Sequence, residues 1–447
     1  MRIFAAIIAI AICCAIESKG DTIAVENTIY DSDTNHLWNR LNETLFERTA
    51  QDGKKYGLDE LDILYWFRTT NLLSGVSHQQ AISVLDEFIN THGEKLIRDP
   101  LKRALLQRDL WELFDWSALP WPSPPYANER KELQKRLAVA IRRLALTTNE
   151  IALLPDNYSK QARTSKLPDL PQGLFQTNGD WVNLAPDQAS YGEIAPTHDH
   201  SAHGHSAFLV MLHLPGGRQA ALAYLEQLNS VEHFWIYRTN TDVFATTNSP
   251  KEVLDLNTNL PEFPANTEWA IVRRMFVIDA DGNIQPTRMV ESIQLRRYFA
   301  IAGATMVMMT NDNGSFVPIN VPPQDLYEFH MSRQQDGGLR EVAKDEKDFL
   351  GVHFMGLGID PFEWKSNNSE VPDSSTFKGT VLESCRACHA GPGIYSVNVY
   401  AGLFHQRSID PPQLYNLDAD SGMTAAMGWK REQYSWGLLQ GLWHQGN

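Results

Sequence analysis

Trp269-Ala270-Ile271-Val272-Arg273-Arg274-Met275-Phe276-Val277-Ile278, followed by Asp279-Ala280-Asp281-Gly282-Asn283, sets the fold class of this chain. The first ten residues are mostly apolar and include no Gly or Pro, which predicts a strand; the next five are turn formers. The Asp-x-Asp-Gly-Asn string opens like a calcium loop, but the later acidic positions of that motif are absent, so it reads as a hairpin turn. The β pattern continues through Ile293 to Phe299 and Thr305 to Met309. Upstream, Ser206 to Leu214 sets Phe208, Val210, Leu212 and Leu214 on one side of a further strand. A mainly antiparallel β region is expected here.

Outward from that region the periodicity changes. Residues 31–155 read mainly as helices. Ser77 and Gln80 form a capping box ahead of Ala81, Ile82, Leu85, Phe88 and Ile89, and Gly93 stops the turn. Asp99-Pro100 opens a second helix carrying Leu101, Leu105, Leu110, Leu113 and Phe114. After the Pro-rich stretch 119–125, Asn128 can cap a third, with Leu133, Leu137, Ala140, Ile141 and Leu144 inside and Arg130, Lys131, Arg142 and Arg143 in water. Beyond Lys347, Gly, Pro and aromatics break the pattern until Lys430 to His444 offers a closing helix.

The 447 residues allow two or three domains with ample core. A formal charge of -15 repels phosphate backbones and argues against nucleic acid as a partner. Arg2 and the 14-residue apolar run Ile3 to Ile16 read as an export signal over residues 1–20, with a retained anchor or a lipid on Cys14 as alternatives. No other apolar run reaches membrane length, so no membrane span is expected after signal removal. The mature protein is then periplasmic or extracellular, and only Cys385 and Cys388 of the four cysteines stay with it.

Those two belong to Cys385-Arg386-Ala387-Cys388-His389, the C-x-x-C-H pattern of haem c attachment. On a helical turn, residues three apart share a face, so both sulfurs can reach the vinyl edges of one porphyrin. A short disulfide, a redox-active C-x-x-C and a zinc site are the other readings of the thiols; Ala390-Gly391-Pro392-Gly393 supplies no thioredoxin-like unit, and no second C-x-x-C completes a zinc site. From about Thr376 to its end the chain resembles the c-type cytochromes. The resemblance implies one covalent haem, with Cys385 and Cys388 as thioether residues and His389 as proximal iron ligand. It implies a second axial ligand farther along, for which Met427 is the first choice and Met423, His405 and His444 are others; His353 or His330 from upstream, or an open position, complete the options. The chain is thus expected to be an α+β multidomain protein, with a helical domain at 21–160, a β-rich domain at 161–345 and a cytochrome c-like haem region at 346–447.

Other constellations are less specific. His198, His200, His203, His205 and His213 are five of fourteen histidines within sixteen residues, a candidate site for an additional transition metal or a solvated loop. Arg273, Arg274, Arg288, Arg296, Arg297, Arg333 and Arg340 can meet haem propionates, although wet strand faces paired to acids are the plainer reading. Trp429, Trp436 and Trp443 suit a porphyrin or a core. Three functions follow. The first is an exported mono-haem protein passing single electrons to a redox partner with a basic docking face. The second is a haem c oxidoreductase with an open or exchangeable sixth iron position acting on a small substrate. The third is a secreted metal-binding module built on His198 to His213.

Overall fold

Asp279 turns the chain as its sequence suggests. Its Oδ1 accepts the backbone N–H groups of Asp281 (3.0 Å) and Asn283 (2.8 Å), and its Oδ2 accepts Gln285 Nε2 (2.6 Å). Gly282 sits at φ +83°, a conformation that costs glycine least. Both carboxylate oxygens are engaged by protein donors, which is the chemistry of an Asx-closed hairpin. The computed structural model describes residues 29–50, 53–62, 69–119, 126–164, 166–185, 206–239, 251–299, 301, 305–310, 316–321, 324–347, 362, 380–388, 393–396, 415–416 and 419–445.

In chain order the elements are α1 (Leu37–Phe46), β1 (Arg48–Thr49), β2 (Lys55–Tyr56), α2 (Gly75–Asn90), α3 (Pro100–Ala118), α4 (Ala127–Leu144), α5 (Thr148–Ala152), α6 (Asn157–Ala162), β3 (Val182–Ala185), β4 (Ser206–His213), α7 (Gly217–Asn229), β5 (Trp235–Thr239) and β6 (Glu252–Leu256). They continue with β7 (Thr267–Ile278), β8 (Ile284–Tyr298), β9 (Thr305–Thr310), β10 (Phe316–Val321), β11 (Gln324–Ser332), β12 (Gly338–Glu341), α8 (Val381–Cys388), α9 (Gly393–Ser396), β13 (Tyr415–Asn416), α10 (Ala419–Arg431) and α11 (Tyr434–Gln445). Seven strands join in the order β12-β11-β8-β7-β4-β3-β13, every neighbouring pair antiparallel. Helices with a mainly antiparallel sheet make this an α+β fold.

Register assigns the two faces of the sheet. Val210, Ile271, Gln294 and Glu328 stand side by side across β4, β7, β8 and β11, and Leu209, Val272, Ile293 and Phe329 form the next row. Successive strand residues point to opposite sides, so these rows lie on opposite faces. One apolar cluster gathers Leu41, Leu85, Leu110 and Leu137 with Val210, Trp269, Met423 and Leu439; the other packs the Leu209 row against Tyr158, Leu170 and Trp181. The first cluster draws on N-terminal helices, central strands and C-terminal helices alike.

Local chemistry explains several boundaries. Asp99 Oδ1 accepts from Leu101 N at 2.8 Å and Pro100 leads α3, as expected. The cap of α2 is displaced: Gly75 turns in at φ +62° behind Ser74, and Ser77 Oγ instead donates to Ser74 O at 3.1 Å. Likewise α4 starts behind Tyr126, and the expected single closing helix is two, α10 and α11. Among the described residues, no helix is long and apolar enough to cross a membrane.

Candidate functional site

The helix that carries the cysteines is held at its start. Thr380 N donates to Glu383 Oε2 (3.1 Å) and Glu383 N to Thr380 Oγ1 (3.3 Å), a capping box that fixes the first turn of α8. Val381 N also donates to Glu346 O at 3.0 Å, and Arg340 grips the Glu346 carboxylate with both terminal nitrogens (2.6 and 2.8 Å). One turn later Cys385, half-buried, meets the sheet: its Sγ lies 3.3 Å from Glu328 Oε2 and accepts Gln294 Nε2 at 3.2 Å. The second oxygen of Glu328 holds His330 Nε2 at 2.8 Å. Cys388 is the last residue of α8.

Residues 389–392 lie outside the described part of the chain, and with them His389. The chain is held again immediately beyond. Gln294, Arg296 and Tyr298 alternate along β8 and therefore share a face. Arg296, almost wholly buried, donates to Ser396 O (3.1 Å) and Gln294 Oε1 (3.2 Å), and the Tyr298 hydroxyl hydrogen-bonds Ser396 Oγ. Glu262 Oε1 accepts Ile394 N at 2.8 Å and Phe263 N at 3.1 Å. Burial raises the Glu262 carboxyl above its usual range, against the pull of those two N–H groups, and burial raises the Tyr298 phenol too. Gly393, at φ +43°, leaves no room for a Cβ against Glu262. One row of β8 thus engages the chain on both sides of the C-x-x-C-H stretch.

The remaining sequence candidates fall as follows. His198, His200, His203 and His205 lie outside the described residues, as do residues 1–28, His353 and His405. His213 ends β4, its Nδ1 3.1 Å from Glu268 and its ring against Trp181. Met427 is half-buried on α10 and packs against the larger apolar cluster, in which Met423 is buried. Trp436 packs 5.8 Å from Trp111, and Trp443 joins the same cluster, so both serve the core. Arg273, Arg297, Arg333 and Arg340 pair with acids as expected, whereas Arg274 donates to Thr287 O and Arg296 to Ser396 O and Gln294 Oε1; Arg288 is exposed, but Arg273, Arg274, Arg296 and Arg333 are buried rather than on wet faces. Among the described residues, no group of three or more His, Cys, Asp or Glu side chains is placed to hold a metal ion.

Sequence reasoning missed a second polar centre. Helix α3 is buried along Ala104 to Ser117, charges included. Arg108 Nε donates to Glu291 Oε1 (2.5 Å), and its Nη1 to Glu112 and Asp109; Arg273 joins Glu291 (2.9 Å) to Asp62 (2.5 Å). Ser206 Oγ donates to Glu291 at 2.5 Å, and Arg333 Nη2 to Asp109 at 2.6 Å. Burial pushes the Glu112 carboxyl well up. For Asp62 burial pushes the same way, but Arg273 and a hydrogen bond with Glu112 outweigh it and hold the group low. The guanidiniums of Arg108, Arg273 and Arg333 thus face the carboxyl groups of Asp62, Asp109, Glu112 and Glu291. Such a paired and buried set offers the chemistry of a structural joint rather than of an open site. The signal was present as four charged residues, Arg108, Asp109, Glu112 and Asp115, along a helix with otherwise apolar faces.

Compared with protein-family models, with curated proteins and with solved structures, the chain matches none.

Proposed function

We propose that this chain is an exported haem c protein that passes single electrons, with the porphyrin attached through Cys385 and Cys388 and His389 as the proximal ligand. The observation that carries the reading is the C-x-x-C-H string itself, whose first four residues lie in a capped helix that meets Gln294 of β8 and Glu328 of β11 through Cys385. The donor set fits. Cys385 and Cys388 stand one helical turn apart, and the Cys385 thiol is half-buried, so the protein steadies it without sealing it in. When bound, haem supplies a one-electron iron couple.

The chain's own part is to orient. Gln294 donates to the Cys385 sulfur and Glu328 accepts from it, which fixes the direction of the thiol. Arg296 and Tyr298 fix the return of the chain at Ser396, so the motif is bracketed rather than hanging from one end. The acidic composition favours a partner with a basic docking face. The test is production with an intact haem-attachment pathway, followed by intact mass and a reduced-minus-oxidised spectrum. One added haem is expected, lost when both cysteines are replaced by alanine. The apo mass under those conditions would overturn the reading. Rapid carbon monoxide binding by the native protein would shift it from carrier to oxidoreductase.

A further inference from the structure

We infer that Arg274 is the base of a binding site for a small oxyanion, a site separate from the cysteine motif and independent of haem. Arg273 and Arg274 are neighbours on β7 and leave the strand on opposite faces. Arg273 enters the Arg108 centre, where Asp62 and Glu291 both meet it. Arg274 goes the other way, its Cζ 5.2 Å from the centre of the Phe175 ring, which packs against the Leu209 cluster and is met edge-on by Tyr158. The two arginines are equally buried, 9% and 8% exposed, yet among the described residues Arg274 has no carboxylate within ion-pair distance. Its one hydrogen bond there runs from Nη2 to Thr287 O at 2.8 Å; Nε is enclosed without a partner, and Nη1 makes no bond and keeps contact with solvent.

A guanidinium left to one neutral carbonyl and a ring face has given up water without gaining a counter-charge, a cost that Arg273 avoids. Burial accordingly pulls the Arg274 pKa below the usual arginine range. The backbone aims the side chain: the β7–β8 register shifts between Arg273 and Arg274 and again before Phe276. Such irregularities redirect a side chain and recur beside binding sites. Arg288 is exposed and near enough to repel Arg274, and neither has an ion pair among the described residues. Two acids oppose an anion here. Asp156 is committed to the cap of α6, where it accepts Ser159 N and Oγ at 2.8 Å each, and Asp420 is exposed in the first turn of α10; both attract Arg274 from beyond ion-pair distance. A phosphate or carboxylate group meeting the open Nη1 edge would supply the missing charge in the geometry a guanidinium fork prefers.

The experiment titrates the full-length protein with inorganic phosphate, and with acetate in parallel to tell the two carriers of this chemistry apart, against chloride at matched ionic strength. Calorimetry reads binding, and the melting temperature reads the linked stabilisation. Wild type should bind one phosphate or acetate. Arg274→Met should fold, melt no lower than wild type in chloride, and bind the anion about tenfold or more weakly. Arg288→Gln should weaken binding about twofold to fivefold, and Asp420→Asn should strengthen it by a similar factor. No binding of either anion by the wild type overturns the site, as does a melting rise that Arg274→Met shares in full, which is a general salt effect. Equal losses of stability in Arg274→Met and Asp420→Asn would also overturn it, making Arg274 the partner of Asp420. Should Arg274→Met fail to fold, Arg274→Lys decides: it keeps the charge without the fork and should bind more weakly, and wild-type affinity counts against the site. Haem plays no part in these readouts, so their failure leaves the reading of the cysteines untouched.

Discussion

Two polar groups share this protein's central sheet and are built differently. Around Arg108 each charge meets an opposite charge and nearly all are buried, whereas around Cys385 most contacts are single hydrogen bonds and several side chains stay partly in water. A buried ion cannot lose its partner without facing its full desolvation cost, while a rim hydrogen bond can be replaced by water. The contrast separates a joint that holds elements together from a surface that holds a segment in place for something else to engage.

The largest effect that would break this contrast comes from Arg108→Met. It takes one guanidinium from Glu291, Glu112 and Asp109, leaving Glu291 to Arg273 and Asp109 to Arg333, and urea unfolding should show a loss of about 3–5 kcal/mol. A loss below about 1 kcal/mol would put the two centres in one class. Arg296→Met comes next. It removes donors to Ser396 O and Gln294 and should cost about 1.5–3 kcal/mol, with hydrogen exchange rising first at residues 393–396. Exchange rising equally in α3 would mean that the two centres are not separate. Gln294→Ala should cost no more than about 1 kcal/mol while making the Cys385 thiol of the apoprotein react faster with a disulfide reagent; an unchanged rate would remove Gln294 from the site.

The smallest effect is a slope with pH. Burial raises the folded pKa of Glu262 above its unfolded value, so its contribution is full below the ordinary carboxylate pKa and is lost as pH rises through the folded value. Wild type should therefore lose thermal stability relative to Glu262→Gln as pH rises across that window. Parallel melting curves would mean that the Ile394 contact carries no titrating charge.

The hairpin was legible because Asp279 to Asn283 needs only local chemistry, and so was the start of α3 at Asp99-Pro100. The C-x-x-C-H string was legible as a string. The first half of β8 was not: Gln285, Pro286 and Arg288 are poor strand formers, and the pairing there comes from the partner strand β7 and from Thr287 Oγ1 donating to Met275 O. The buried charges of α3 drew no reading from the sequence because their partners are distant in it: Glu291 lies 183 residues from Arg108, and Lys430 lies 315 from Asp115. Spacing along one element cannot reveal such pairs. The capping box at Thr380 and Glu383 was readable, since it obeys a local rule, and would have placed the start of the cysteine helix.

One of the two outer strands of the sheet, β13, pairs Tyr415 and Asn416 with Ala185 and Leu184, and of the two helices after it α10 packs on β3, β4 and β8 while α11 closes over α3 and α4. In order of synthesis, the cysteine stretch leaves the ribosome before the pieces that finish the architecture. A chain cut just short of residue 415 would present the open border of β3 and leave Asp115 without Lys430. The tail of the chain thus closes the sheet's border and the charge on α3 together, so its loss would be felt in a helix 315 residues upstream.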